Sequence, residues 1–171
     1  ENFREGVDPY TVEYRIASGG WLPIAIATAR VGVLAVWDTP AVDGPSTLRV
    51  TAVDAVGFET VAITEVVVDN IEPEAVVVLP TDGSQVAGVV DIVGTAADEH
   101  FTSYSMEWSP LVDGVPTRWT PIAQGVAAAV TDGRLATWDT GVTEGPARLR
   151  LVVDDAAGHR SVAERSIVVA G

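Results

Sequence analysis

The sequence predicts an all-β protein of two tandem β-sandwich units, the first of them lacking its first two strands. Two observations carry this prediction. The first is a repeat: Trp37-Asp38-Thr39, Gly44-Pro45, Leu48-Arg49, Asp54 and Gly57 return as Trp138-Asp139-Thr140, Gly145-Pro146, Leu149-Arg150, Asp155 and Gly158, at an offset of 101 residues. The offset holds to the end, where Val67-Val68 matches Val168-Val169, so the chain is a tandem array of one unit. The second is the pattern within each repeat, short alternating apolar and polar stretches bounded by turn residues. Gly, Pro, Val and Thr recur too often for helices, and no long apolar stripe with a period of about 3.6 residues is present.

In the first unit, residues 1–70, the alternation predicts strands at Tyr10–Ile16, Trp21–Thr28, Val31–Trp37, Thr47–Val53 and Glu59–Val68. Asp43-Gly44-Pro45 and Asp54-Ala55-Val56-Gly57 read as turns in which glycine supplies positive φ. Asp69 to Pro73 reads as a linker. The second unit, residues 71–171, opens with two strands that have no counterpart in the first, Ala75–Leu79 and Gly88–Gly94, joined through a Pro80-Thr81-Asp82-Gly83-Ser84 turn. The pattern then repeats as Ser103–Trp108, Arg118–Ala123, Gly133–Trp138, Ala147–Val153 and Arg160–Val169. Trp21-Leu22-Pro23-Ile24 returns as Trp119-Thr120-Pro121-Ile122, and Glu1-Asn2-Phe3 resembles Glu99-His100-Phe101.

If the second unit is a complete seven-stranded sandwich, the first starts at the third strand and leaves apolar surface and backbone groups uncovered. Three arrangements satisfy this. Upstream residues complete the unit in cis, a partner or another copy donates the strands in trans, or the unit is a reduced five-stranded variant. Glu1-Asn2-Phe3-Arg4 does not read as a signal peptide, so the chain is expected to be a processed product or part of something longer.

Composition narrows the partner. With 24 acidic residues against 10 basic ones, all Arg, the net charge is −14, which disfavours nucleic acid and anionic membrane surfaces. No apolar run approaches the roughly 20 residues of a membrane span. There is no cysteine, hence no disulfide framework and no thiolate metal site.

The residues resemble the tandem immunoglobulin-like repeats of bacterial secreted and surface proteins, often placed C-terminal to proteases or peptidoglycan-synthesising enzymes. The resemblance rests on Gly94-Thr95-Ala96, the Phe101 to Tyr104 entry, Trp119, Trp138-Asp139-Thr140, Gly145, Leu149-Arg150-Leu151, Asp155 and Gly158. It covers residues 72–171 and most of the first unit from Phe3 onward. It implies two immunoglobulin-like (fibronectin-III-like) β-sandwiches acting as extracellular or cell-surface spacers and interaction modules, without catalysis. His100, His159 and Phe58 depart from it, standing at turns where the family tends to carry Asn.

Several candidate sites are weighed against plainer roles. Asp139-Thr140-Gly141 spells the aspartic-protease triplet, whose chemistry needs two carboxylates sharing a proton. The first repeat offers Asp38-Thr39-Pro40 on a much smaller unit, so Asp38 and Asp139 are read as turn formers accepting backbone N–H groups. Asp69, Asn70 and Glu72 of the linker, with Asp98, Glu99, Asp154 and Asp155, would gather hard oxygen ligands at one end of a sandwich, as calcium at the interdomain joint requires. The plainer role is that these residues cap turns. His100 and His159 fall at the same end, where zinc with Asp98 or Asp155 is a weaker alternative.

Of the five Trp residues, Trp37 pairs with Trp138 in the repeat and Trp21 with Trp119, while Tyr14 aligns with Trp108. Repetition at matched positions points to packing rather than to glycan contact. Glu13 with Arg49, and Glu107 with Arg150, are placed to pair across adjacent strands. No nucleophile and base, phosphate loop or basic aromatic patch stands out. The expectation is therefore a non-catalytic spacer, scaffold or assembly subunit that meets a protein partner, or itself, through the incomplete first unit. The alternative is a glycan- or cell-wall-binding module appended to a secreted enzyme. No cofactor is expected beyond that calcium.

Overall fold

The computed structural model describes residues 10–27, 32–39, 43–141 and 143–170 of a chain that divides into two compact units, Glu1–Asn70 and Ile71–Gly171. The fold is all-β, and among the described residues no helix is long and apolar enough to cross a membrane.

The first unit contains β1 (Tyr10–Ile16), β2 (Leu22–Ala27), β3 (Gly44–Val53) and β4 (Glu59–Val68), in one antiparallel sheet of order β2-β1-β3-β4. The turn between β3 and β4 is built by Asp54, whose carboxylate Oδ1 accepts the backbone N–H groups of Val56 and Phe58, each at 2.9 Å. Gly57 closes the turn at φ +94°, a conformation open to glycine and costly for a residue with a Cβ.

The second unit contains β5 (Glu74–Leu79), β6 (Gln85–Val86), β7 (Val89–Ala97), β8 (Phe101–Val112), β9 (Val115–Pro116), β10 (Thr120–Val126), β11 (Val130–Asp139), β12 (Gly145–Asp155) and β13 (Arg160–Val169). They form two layers, a sheet of order β10-β8-β12-β13-β6, with β9 added to β8, and a three-stranded sheet β11-β7-β5. Between the layers lies a core of Val77, Ile92, Tyr104, Met106, Leu135, Trp138, Leu149, Leu151 and Ile167, among others. This core follows from alternation: along β12, Ala147, Leu149, Leu151 and Val153 point inward, and Arg148, Arg150 and Val152 point outward.

Superposing the repeat on these elements shows β1, β2, β3 and β4 in the roles of β8, β10, β12 and β13. Among the described residues the first unit thus has the counterpart of one layer, and β5 to β7 have no counterpart there. The strand expected at Val31–Trp37 is a correction: residues 32–37 belong to no ladder, and residue 31 lies outside the described set. The physical reason is pairing. Its counterpart β11 is a strand because β7 hydrogen-bonds to it, Trp138 opposite Val90 and Thr137 opposite Asp91. Among the described residues no counterpart of β7 lies beside residues 32–37 to pair with them. Residue 28 of the expected second strand also lies outside the described set.

Two strands escaped the sequence reading. The short β9 returns from β8 through Asp113-Gly114, both at positive φ (52° and 78°), in a two-residue hairpin with Val112 opposite Val115. This hairpin accounts for the change in repeat offset from 94 residues at Tyr10/Tyr104 to 98 at Trp21/Trp119. The other, β6, runs parallel to β13, with Gln85 opposite Val168 and Val86 opposite Val169.

Gly94 in β7 sits where a Cβ would lie 1.9 Å from the Val76 carbonyl oxygen and 3.0 Å from Leu135 Cδ1. A Gly94→Ala variant is expected to force β5 away from β7 and to destabilise the second unit by about 3 kcal/mol, the upper end for overpacking. Thermal unfolding followed by circular dichroism checks this, the expected drop in Tm being roughly 10 °C or more for a unit of this size.

Candidate functional site

The inner face of the first unit's sheet is the candidate site, because the residues that fill the core of the second unit are present there without a facing layer. Leu149 and Leu151 are fully buried, whereas their counterparts Leu48 and Val50 are only half-buried; Val153 is buried and its counterpart Ala52 is exposed. The segment matched to β11 retains one tie to the sheet. The Tyr10 hydroxyl donates to the Leu34 carbonyl oxygen at 2.9 Å, as the Tyr104 hydroxyl donates to that of Leu135 at 2.6 Å. Ring contacts repeat too, Tyr14 with Trp37 at 4.8 Å between centroids and Trp108 with Trp138 at 5.4 Å. Leu34 is 39% exposed, against 4% for its counterpart Leu135.

On the outward face, across β1, β3 and β4 and beside the Arg15 side chain that lies 4.9 Å over the Trp21 ring, is a cavity of about 380 Å³ lined by Arg15, Ala17, Ser46, Thr47, Glu65 and Val67, among others. Arg15 Nε and Ser46 Oγ are buried with no hydrogen-bond partner, as is Trp37 Nε1. In the second unit the outer edge of β13, the counterpart of β4, is occupied. Asp82 Oδ1 accepts the Ser166 N–H (2.7 Å), the Gly83 N–H donates to the Ser166 carbonyl (2.7 Å), and the Ser84 carbonyl accepts the Val168 N–H (2.9 Å). Ser166 and Val168 correspond to Glu65 and Val67, and β4 has no described strand on that outer edge.

The outward face of each sheet also carries a repeated trio. Arg49 donates from Nε (2.9 Å) and its NH2 group (2.6 Å) to Glu13 Oε2 and lies 4.1 Å over the Trp21 ring. Arg150 does the same with Glu107 (3.0 and 2.6 Å) and lies 3.8 Å over Trp119. The cross-strand pairs read from the sequence are thus present, and a guanidinium stacks on each half-buried indole. None of the five Trp residues is exposed.

The candidate calcium ligands are divided between the units, Asp69 and Asn70 in the first, Glu72, Asp98 and Asp155 in the second. Within the second unit the geometry is that of turns. Asp98 Oδ1 accepts the His100 N–H at 2.7 Å. Asp155 Oδ1 accepts the N–H groups of Gly158 (2.7 Å) and His159 (2.8 Å), and its Oδ2 meets His159 Nδ1 at 2.8 Å. The Ala156 N–H donates to the His100 carbonyl at 2.9 Å, tying the two loops together. Asp154 is bound on both carboxylate oxygens by Arg160, at 2.6 and 3.1 Å. Asp139 accepts the Gly141 N–H at 2.9 Å, and Thr140 is held on the Gly88 carbonyl, so the protease-like triplet forms a strand-end turn. Gly44, Asp54 and Gly57 lie at strand ends or turns of the first unit, and Gly145 and Gly158 do so in the second, whereas Asp38 follows the segment that forms no ladder and sits in neither a strand nor a turn.

Neither a family model nor a curated protein matches the chain. Among solved structures it is similar to the fibronectin(III)-like modules of Clostridium thermocellum CbhA, at 18% identity and a TM-score of 0.43 over 98% of this chain and 80% of that one. It is also similar to dimeric latent PorU from Porphyromonas gingivalis, at 13% identity and a TM-score of 0.38, over 99% of this chain and 17% of that chain.

Asp155 makes one titration visible. Burial acts to raise its carboxyl, but the N–H and ring of His159 and the N–H of Gly158 outweigh it and hold the group below the ordinary carboxylate range. A depressed folded-state value stabilises the fold above the unfolded pKa of about 3.9, and this contribution is lost as pH falls through the folded-state value. Asp155→Asn is expected to cost about 2 kcal/mol at neutral pH and to flatten the loss of stability below pH of about 4. Tm measured against pH for both proteins checks it.

Proposed function

We propose that this chain is a non-catalytic structural and interaction module of a secreted or cell-surface protein. In this reading the second unit is a self-sufficient spacer, and the first is a contact surface that takes its missing sheet from another polypeptide segment. The observation that supports it most directly is the inner face of β1, β3 and β4, which keeps the core pattern of the second unit with no layer opposite it among the described residues. Leu48 and Val50 are already half-buried, so completing the burial of each would add about 1 kcal/mol to the association. Acidic net charge is compatible with a protein partner and disfavours nucleic acid.

The alternative, a glycan- or cell-wall-binding module beside a secreted enzyme, has less support. Trp21 and Trp119, the indoles nearest the outward face, carry Arg49 and Arg150 on their rings and do not offer a bare stacking platform. Saturable binding to cellulose or peptidoglycan, abolished by Trp119→Ala, would favour this alternative.

Hydrogen exchange on the intact chain tests the main reading. Isolated and at concentrations where it is monomeric, the chain is expected to exchange the amides of β3 and β4 at least about a hundredfold faster than those of β12 and β13, because only the second pair is sealed by a second layer. Equal protection in both units would overturn it.

A further inference from the structure

The free edge of the first unit's sheet is a surface separate from its inner face, and we infer that β4 pairs there with β4 of a second copy of this chain, antiparallel, with Ile63 opposite Ile63 on a two-fold axis. β4 runs against β3 without a register shift from Glu59 to Val68 and ends its sheet, with no described strand on its outer side. Edge strands that stay single are blunted by proline, lysine, a bulge or a covering segment. β4 has no proline, lysine or bulge, consists mostly of Thr, Val and Ile, and has no segment paired along its outer side among the described residues. The second unit treats the same edge differently: β6 pairs with β13, and Glu164, which stands where Ile63 stands, meets Arg148 at 3.3 Å.

The bonds on β13 show which backbone groups of β4 point away from its sheet. The N–H groups of Ser166, Val168 and Ala170 donate to the Asp82 carboxylate and the Ser84 and Val86 carbonyls, and the repeat carries these positions to Glu65, Val67 and Asp69. Alternation adds Ile63, Val61 and Glu59. In an antiparallel ladder residues of this set stand directly opposite one another and exchange both hydrogen bonds. With Ile63 on the axis, Val61 faces Glu65 and Glu59 faces Val67 of the second copy, so no carboxylate meets another. Sliding the ladder by one pair sets Glu59 against Glu65 in one direction and against Asp69 in the other, and the symmetry repeats each clash. Larger slides leave part of β4 outside the ladder. Charge and pairing together therefore select one register.

The side chains fit the same axis. Val61 and Ile63 are 48% and 62% exposed, on the outward row that also carries Arg49 opposite Ile63. In this register Val61 and Ile63 of both copies form one apolar cluster across the axis, the contact that Glu164 would forbid at the same place on β13. An axis normal to the sheet keeps both outward faces on one side and closes the contact, so association stops at two chains. Opposing it is the charge of −14 on each chain, a repulsion that salt screens.

Sedimentation velocity on the intact chain tests this. A ladder along one edge buries less than about 1,200 Å², so half-association is expected at about 10–100 µM, tightening as salt rises from about 0.05 to 0.5 M. Ile63→Glu sets two carboxylates against each other on the axis and is expected to weaken the dimer at least about tenfold, with circular dichroism and Tm unchanged because the side chain is exposed. The register is read by cross-linking, since the chain has no cysteine. Under oxidised glutathione Ile63→Cys is expected to give a disulfide-linked dimer, the Cα atoms of a directly opposed pair being about 5.5 Å apart. Val61→Cys is expected to stay unlinked, its own copy lying about 13 Å along the ladder. A chain that remains monomeric at about 200 µM in high salt overturns the inference. So does a dimer that Ile63→Glu leaves intact, or one that links through Val61→Cys and not through Ile63→Cys.

Discussion

In the second unit the segment carrying Trp138 is a strand because β7 lies beside it, and β7 in turn packs Ile92 and Ala96 onto the sheet that holds Leu149 and Leu151. Pairing of backbone groups and burial of one apolar face are there satisfied together, by the same strand. The first unit shows the effect of withdrawing that strand. Residues 33–37 keep their apolar pattern and the Tyr10 tie, yet form no ladder, and Leu48 and Val50 keep their place without full burial. A facing layer is the constraint on which the remaining features of this fold depend.

The outward faces are different, for they are complete in both units. Glu13, Arg49 and Trp21 reproduce the contacts of Glu107, Arg150 and Trp119 to within a few tenths of an ångström. Such a trio is internal to three adjacent strands and needs nothing from the opposite layer. Half-exposed ion pairs of this type contribute little each, but stacking over an indole fixes the guanidinium and covers an apolar ring. The sheet of the first unit thus has its outward trio in place, while its inner side, where Tyr10, Val12 and Val68 are buried and Leu48 and Val50 half-buried, has no facing sheet among the described residues.

Much of this is legible in the sequence because repetition reports on structure directly. The constant offset from Trp37 to Val68 locates both units, and among the described residues of the first unit no strand corresponds to Ala75–Leu79 or Gly88–Gly94. Alternation fails at Val31–Trp37 because it records which side chains face inward, whereas a strand also requires a neighbour, and none is encoded in the described residues. The Asp113-Gly114 hairpin carries a clear signal, a turn dipeptide flanked by valines, that the resumption of the repeat at Arg118 obscures. The acidic residues are harder to read. Asp98, Asp139 and Asp155 bind backbone N–H groups within their own turns, and sequence alone does not distinguish a carboxylate so engaged from one available to a ligand.

The parallel pairing of β6 with β13 has a mechanical consequence. In a parallel pair the leading end of one strand and the trailing end of the other lie at opposite extremes, so tension applied through the two ends of the second unit slides β6 against β13. The bonds that join them, including those from Val168 to Ser84 and from Ala170 to Val86, then share the load in shear instead of opening one after another. The first unit has the matching strand β4 but no described counterpart of β6, so the same geometry for bearing force is present there in only one of its two halves.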